Sequence, residues 1–89
     1  MTAKHVVVHG GVQGVGFRWF AREEAARLGI TGWIRNRDDG TVEAVVDGED
    51  AAVDAMVARF RVGPPGASVT AVDVTETDAA PSAAFRIEH

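Results

Sequence analysis

Apolar residues recur with two different periods along this chain, and the order of those periods leaves few possible folds. Residues 6–8 are all valine, a β-branched run typical of a buried strand. Residues 17–28 instead carry their apolar side chains at helical spacing, and Gly29 follows where a C-terminal helix cap is expected. A strand followed by a helix is therefore predicted, joined by the glycine-rich segment 10–16.

The remainder of the chain continues this pattern through a hairpin. Residues 30–37 and 41–47 are strand-like, and the Asp-Asp-Gly sequence between them is a turn signal. Asp50 is the predicted N-cap of a second helix. The apolar stripe of that helix is Val53, Met56, Val57 and Phe60.

Glycines and prolines end the second helix. The Gly-Pro-Pro-Gly sequence at 63–66 predicts a loop, and residues 69–77 predict a further strand. Residues 78–82 are a predicted polar connector, and Phe85 and Ile87 alternate in a short last strand.

Two strand–helix–strand units joined by a hairpin predict an α+β fold of the split βαβ type (βαββαβ), as one domain over residues 1–89. We expect an antiparallel sheet of order 4-1-3-2, both helices on one face, and a short C-terminal edge strand. The first two strands are then parallel, with the third between them. Their C-terminal ends lie at one sheet edge, about 10 Å apart at roughly 4.8 Å per strand.

Composition excludes several function classes. The chain has no cysteine, so a thiol nucleophile, a disulfide framework and a zinc–thiolate site are impossible. A net charge of −4 argues against broad binding of a nucleic-acid backbone. The N-terminal apolar stretch is too short for a signal peptide or membrane span. We expect a cytoplasmic monomer with no nucleic-acid partner and no membrane partner.

The segment 10–16 carries four glycines between a strand and a helix N-terminus. Glycines allow backbone N–H groups to converge, and the helix start adds unpaired donors and partial positive charge. Such a segment suits one phosphate group, although it has neither Walker nor dinucleotide-binding spacing. The alternative is a glycine-rich turn that only reverses the chain.

Arg18 and Asn36 are the two side chains predicted to lie beside this segment. A cation in the first helical turn is unfavourable unless an anion binds there, and then a bidentate contact reverses the penalty. Asn36 ends the second strand at the same sheet edge, and its amide can orient a water but cannot deprotonate one. The alternatives are a solvated surface arginine and a turn asparagine.

These residues also carry a resemblance to a known family. Residues 12–18 read V-Q-G-V-G-F-R, which resembles the acylphosphatase signature, and residues 32–36 resemble the second signature of that family. Gly63 to Ala67 and Phe85 also match, so the resemblance covers essentially the whole chain. Gly11 departs from it, because members often carry a basic or larger residue there.

The resemblance implies a ferredoxin-like fold, acylphosphatase activity, and acyl phosphate and inorganic phosphate as the small-molecule partners. No cofactor and no metal are expected, because the sequence has no Cys, His and carboxylate cluster of metal-ligand type. It implies that Arg18 and Asn36 are catalytic, with Asn36 positioning water. The implied phosphate-binding residues are Val12, Gln13, Gly14, Val15, Gly16, Phe17 and Arg18. We also expect the carboxylate of His89 to contact Arg18 in the empty site, from a last strand parallel to the second.

Other residues receive structural interpretations. His5 and His9 share a strand face without a metal-ligand motif, so we interpret them as partly exposed strand residues. Asp38 and Asp39 fit turn chemistry better than an acid/base pair. Packing roles are predicted for both tryptophans, Trp19 and Trp33, and a position flanking the site is the alternative. Additional positive potential near the site is expected from Arg22, Arg35 and Arg37.

Two alternative functions are compatible with this order of elements. RNA-binding domains share this order of elements, but they stack bases on sheet aromatics, and the third strand here has none. A non-catalytic acylphosphatase-like domain, as found fused to carbamoyl-transfer enzymes of hydrogenase maturation, is the second alternative. Both Arg18 and Asn36 are present in this chain, which favours an enzyme.

Overall fold

Strands and helices follow one another in the predicted order in the computed structural model, which describes residues 1–78 and 83–89. The elements are β1 (Thr2–Gly11), α1 (Phe17–Leu28), β2 (Thr31–Asn36), β3 (Val42–Gly48), α2 (Asp50–Val62), β4 (Ser68–Glu76) and β5 (Phe85–Ile87). Within the described residues, neither helix has the length and apolar character needed to cross a membrane. The predicted connector at 78–82 lies, apart from Asp78, outside the described residues.

The five strands form one sheet in the order β4-β1-β3-β2-β5. β1 pairs antiparallel with β3 and β4, and β2 pairs antiparallel with β3. β5 pairs parallel with β2, so the sheet is mixed at that edge. The predicted order 4-1-3-2 is confirmed, and β1 and β2 run parallel with β3 between them.

The core lies on the helix-covered face of the sheet. Alternate residues of the central strands point into it, and the apolar stripes of both helices cover them. The fully buried side chains include Val6, Val8, Val42, Ala44, Val46, Val53, Met56 and Phe60. The Phe17 ring, at the start of α1, packs against Phe60 with 5.7 Å between ring centroids. This contact fixes the N-terminus of α1 under the sheet edge where β1 and β2 end.

β1 extends further than the valine run suggests, through Gly10 and Gly11. Gly10 has a φ of 121°, and a Cβ on it would lie 2.0 Å from the Ser68 carbonyl oxygen. Only glycine permits this approach of β4. Gly11 pairs with Ser68 in the same ladder, so both glycines belong to the sheet and the connecting loop is residues 12–16.

The predicted cap of α2 is wrong. The N-cap is Glu49, which makes no side-chain capping hydrogen bond, and Asp50 is the first helical residue. The Asp50 carboxylate accepts a hydrogen bond from the Thr2 hydroxyl instead. The start of β1 lies beside the N-terminus of α2. The Thr2 hydroxyl therefore donates to the Asp50 carboxylate, which a helix backbone N–H would do if Asp50 were the N-cap.

Candidate active site

One cavity of about 250 Å³ opens at the edge where β1 and β2 end. It contains both side chains that the sequence placed at this edge, and residues from α1, β2 and the C-terminal segment surround it. The lining residues are Val12, Gly14, Gly16, Phe17, Arg18, Trp19, Asn36, Ile87 and His89. The parallel arrangement of β1 and β2 accounts for this meeting of residues far apart in sequence.

The loop presents backbone donors to this cavity. Gly14 and Gly16 have φ values of 74° and 77°, a left-handed conformation that suits glycine. The first hydrogen bond of α1 runs from the Phe20 N–H to the Gly16 carbonyl at 2.9 Å, so the N–H groups of residues 17–19 precede the helical ladder. The first turn of α1 contains no acidic residue. Unpaired donors and the positive helix end together suit an anion.

The seven residues that resemble the phosphate-binding signature contribute in different ways. The side chains of Val12 and Phe17 are buried in the core, and the Val12 N–H already donates to the Gly10 carbonyl at 3.0 Å. A ligand that binds the Val12 N–H has to share or replace this hydrogen bond. The burial of Phe17 agrees with the helical apolar spacing predicted for residues 17–28.

The Gln13 side chain turns away from the loop. Its amide nitrogen donates to the Arg37 carbonyl at 2.7 Å and to the Thr41 carbonyl at 2.9 Å. Both acceptors lie in the turn of the β2–β3 hairpin, where Arg37 directly follows Asn36 and Thr41 directly precedes β3. Gln13 therefore ties the phosphate-loop candidate to the strand end that carries Asn36, a role that sequence reasoning missed.

We expect Gln13→Ala to lower the free energy of unfolding by about 1–2 kcal/mol, because both hydrogen bonds from the Gln13 side chain to the hairpin are lost. Urea denaturation of the variant and the wild-type chain measures this change. Gln13→Glu is the matched control, since it keeps the length of the side chain but cannot donate when ionised. If both variants unfold like the wild type, the two hydrogen bonds do not stabilise the hairpin.

The Arg18 guanidinium has no carboxylate within 4 Å among the described residues. Its Nη1 lies 3.4 Å from Nδ1 of the His89 ring. The expected proximity of His89 to Arg18 is therefore observed, but the imidazole and not the carboxylate makes the contact. An arginine at a helix N-terminus without an anionic partner is available to bind an anion.

Asn36 is the last residue of β2 and lies opposite Val42 of β3. Side chains alternate along a strand, so Asn36 shares the helix-covered face with the buried residue Ile34. Asn36 itself is exposed, and its amide makes no hydrogen bond to residues 1–78 or 83–89. The amide is therefore free to bind water inside the cavity.

Cationic side chains lie on the far side of Asn36. Arg35 and Arg37 line a neighbouring depression together with Asp38 and Asp39. Asp39 accepts hydrogen bonds from the Thr41 hydroxyl at 2.6 Å and from the Thr41 N–H at 3.0 Å, and these hold the pKa of the Asp39 carboxyl below its ordinary value. The predicted turn role is confirmed for Asp39.

The prediction for Trp19 is wrong. Trp19 is 56% exposed and lines the cavity, so it does not serve core packing. The Arg22 guanidinium lies 4.0 Å from the centroid of the Trp19 ring, one helical turn away. Trp33 is half-buried on the opposite face of the sheet.

The two strand histidines are partly exposed, as predicted, and each has a carboxylate partner. His5 Nε2 lies 2.7 Å from Glu43 Oε2, and His9 Nε2 lies 2.8 Å from Asp73 Oδ2. Burial raises the pKa of Glu43, but the hydrogen bonds from His5 and Arg35 outweigh it, and the net effect lowers that pKa. Across the described ranges, no three or more His, Asp or Glu residues are grouped to hold a metal ion.

Known proteins share the sequence pattern and the fold of this chain. The family model described as Acylphosphatase matches residues 4–87. An acylphosphatase of Thiobacillus denitrificans is 55% identical over 78 residues, which are 88% of each chain. The crystal structure of acylphosphatase from Bacillus subtilis superposes with a TM-score of 0.94 at 38% identity over 100% of both chains. T. kodakarensis HypF has a TM-score of 0.88 at 29% identity, covering 99% of this chain but 12% of that one.

Proposed function

The chain belongs to the acylphosphatase family, and we propose that it hydrolyses the carboxyl–phosphate bond of acyl phosphates with Arg18 and Asn36 as its catalytic side chains. The loop N–H groups and Arg18 hold the phosphate, and Asn36 orients the attacking water. One observation carries the assignment of residues: Arg18 and Asn36 line the same cavity at the N-terminus of α1. Among the described residues, Arg18 has no carboxylate partner and the Asn36 amide makes no hydrogen bond.

The chemistry needs positioning and charge stabilisation more than acid catalysis. Water attacks phosphorus, the bond from phosphorus to the acyl oxygen breaks, and the carboxylate leaves. A carboxylate is a good leaving group and needs little protonation. The charge on the equatorial phosphate oxygens meets the backbone donors and the guanidinium. The water gives its proton to a phosphate oxygen, so no side chain has to act as a base.

Asn36 suits the positioning step because its amide both donates and accepts hydrogen bonds. Its place on the strand parallel to β1 puts it opposite the loop across the cavity. A nucleophile held in line with the leaving oxygen reacts faster because the entropy of alignment is already lost.

The alternative of a non-catalytic domain is less favoured. The acylphosphatase of Thiobacillus denitrificans matches this chain at 55% identity over 88% of its own length, whereas T. kodakarensis HypF is matched over 12% of its length. We propose further that the chain is a single domain over residues 1–89 and a cytoplasmic monomer without nucleic-acid or membrane partners. In the described part of the chain, the exposed large apolar residues are only Met1, Trp19 and Val62, which supports a monomer.

A direct assay tests this function and its metal requirement. We expect the purified chain to hydrolyse benzoyl phosphate, followed by ultraviolet absorbance, at the same rate before and after exhaustive chelation. The loop and Arg18 already supply the positive charge that a metal would otherwise supply. Absence of turnover would support the non-catalytic alternative, and a loss restored by magnesium or zinc would contradict metal independence.

A further inference from the structure

The cavity offers more surface than a phosphate group needs. Its volume of about 250 Å³ is several times the ~30 Å³ that one water occupies in the liquid, and an inorganic phosphate has only five heavy atoms. Two apolar side chains, Trp19 and Ile87, complete the wall beyond the loop and Arg18. In the hydrolysis proposed above, the acyl group is the part of the substrate that extends past the phosphate.

We infer that Trp19 and Ile87 form the subsite for the acyl group, and that this subsite favours acyl phosphates with an aromatic acyl group. The inference rests on the proposed function. It adds to that function the side chains that determine specificity for the acyl group.

Trp19 is positioned by its neighbours in α1. It directly follows Arg18, and the Arg22 guanidinium lies 4.0 Å from its ring centroid. This stacking holds the indole beside the anion site while more than half of the residue remains exposed. Among the exposed large apolar residues described above, Trp19 is the one that lines this cavity.

Ile87 reaches the same cavity from the sheet edge. It pairs with Ile34 in the parallel β2–β5 ladder, and Ile34 precedes Asn36 by two residues on β2. Ile87 is half-buried and packs against the core, so its position is fixed by the sheet. The two apolar side chains therefore come from rigid elements on either side of the anion site.

An acyl group that bears a carboxylate could bind in a second place, beside cationic side chains. Arg35 and Arg37 line the neighbouring depression beyond Asn36, which shares only Asn36 and His89 with the main cavity. The loop, Arg18, Trp19 and Ile87 all line the main cavity instead. An aromatic acyl group that leaves water there gains both burial of apolar surface and ring contact with the indole.

The test compares kcat/KM for benzoyl phosphate, acetyl phosphate and succinyl phosphate in the wild-type chain and in Trp19→Ala. We expect the ratio of benzoyl to acetyl kcat/KM to fall about tenfold in Trp19→Ala, because the ring loses its aromatic contact. Trp19→Phe should keep most of the ratio. Val62→Ala, which removes an exposed apolar side chain outside the cavity, should leave it unchanged.

Three results would overturn the inference. Equal losses on benzoyl and acetyl phosphate would mean that Trp19 supports the fold or the phosphate site and not the acyl group. An unchanged ratio would mean that the acyl group lies elsewhere. If the wild-type chain preferred succinyl phosphate and Arg37→Ala removed that preference, the acyl group would lie beside the cationic residues. If the wild-type chain hydrolysed none of the three, the proposed function itself would fail.

Discussion

Arg18→Ala should lose both phosphate binding and turnover, with kcat/KM for benzoyl phosphate falling about 10³-fold, the lower range for removal of an arginine from a phosphoryl-transfer site. The guanidinium has no carboxylate partner among the described residues, so its charge is available to the substrate. It is also the basic residue that adjoins the loop in sequence, and among the described residues no other arginine or lysine lines the cavity. A group that binds phosphate in the ground state, and binds the charge that develops in the transition state more strongly, raises KM and lowers kcat when it is lost.

The measurement pairs steady-state hydrolysis with competitive inhibition by inorganic phosphate. The inhibition constant should rise along with the loss of rate. Arg61→Ala is the matched control, because it removes the same charge from an exposed position on α2 that does not line the cavity. Arg18→Lys should recover part of the binding, since it restores the charge but not the bidentate geometry. Normal phosphate inhibition in Arg18→Ala would show that Arg18 is not the phosphate clamp.

Most of the fold could be predicted because it follows from periodicity. The boundaries of α1 are set by an apolar stripe and by Gly29, whose φ of 72° and N–H bond to the Ala25 carbonyl end the helix as expected. The strand order follows once two strand–helix–strand units are joined by a hairpin. That order in turn places Asn36 and the loop at one edge, so the meeting of these residues needed no side-chain information.

What could not be predicted are contacts that depend on side-chain direction. Gln13 lies within the loop, but its amide donates to carbonyls 24 and 28 residues away, and no local pattern encodes such a pairing. Trp19 fits an apolar helix in sequence, yet it lies just outside the buried stripe formed by Phe17, Ala21 and Ala25. The contact between Arg18 and the His89 ring depends on how β5 docks beside β2. The sequence predicted that the two strands are parallel, but not their register.

The Gln13 tether also bears on how the site works. It holds the loop, which is proposed to bind the phosphate, at a fixed distance from the hairpin, which carries the proposed water-orienting residue. The two functions therefore reside on different elements that a pair of hydrogen bonds keeps in register. This separation means that binding and turnover should respond differently to substitution on the two sides of the cavity.

We expect Asn36→Ala to separate turnover from phosphate binding most clearly. We expect kcat to fall on the order of 10²-fold or more, as loss of alignment of a reacting group often does, while phosphate binding is largely retained. The loop and Arg18 remain intact in this variant. The exposed amide has no hydrogen bond to lose in the described part of the chain, so the free energy of unfolding should hardly change. An interaction used only to orient the nucleophile affects kcat and hardly affects binding.

Two measurements on Asn36→Ala belong together: steady-state hydrolysis, and thermal unfolding with and without phosphate. A ligand at 100 times its Kd stabilises a folded chain by about 2.7 kcal/mol. For a chain of 89 residues, that raises Tm by on the order of 10 °C. Asp38→Ala, at an exposed position in the same hairpin, controls for disturbance of the turn. If kcat survives in Asn36→Ala, Asn36 is a turn residue. If turnover and phosphate protection vanish together in a folded variant, Asn36 binds the phosphate and another group must orient the water.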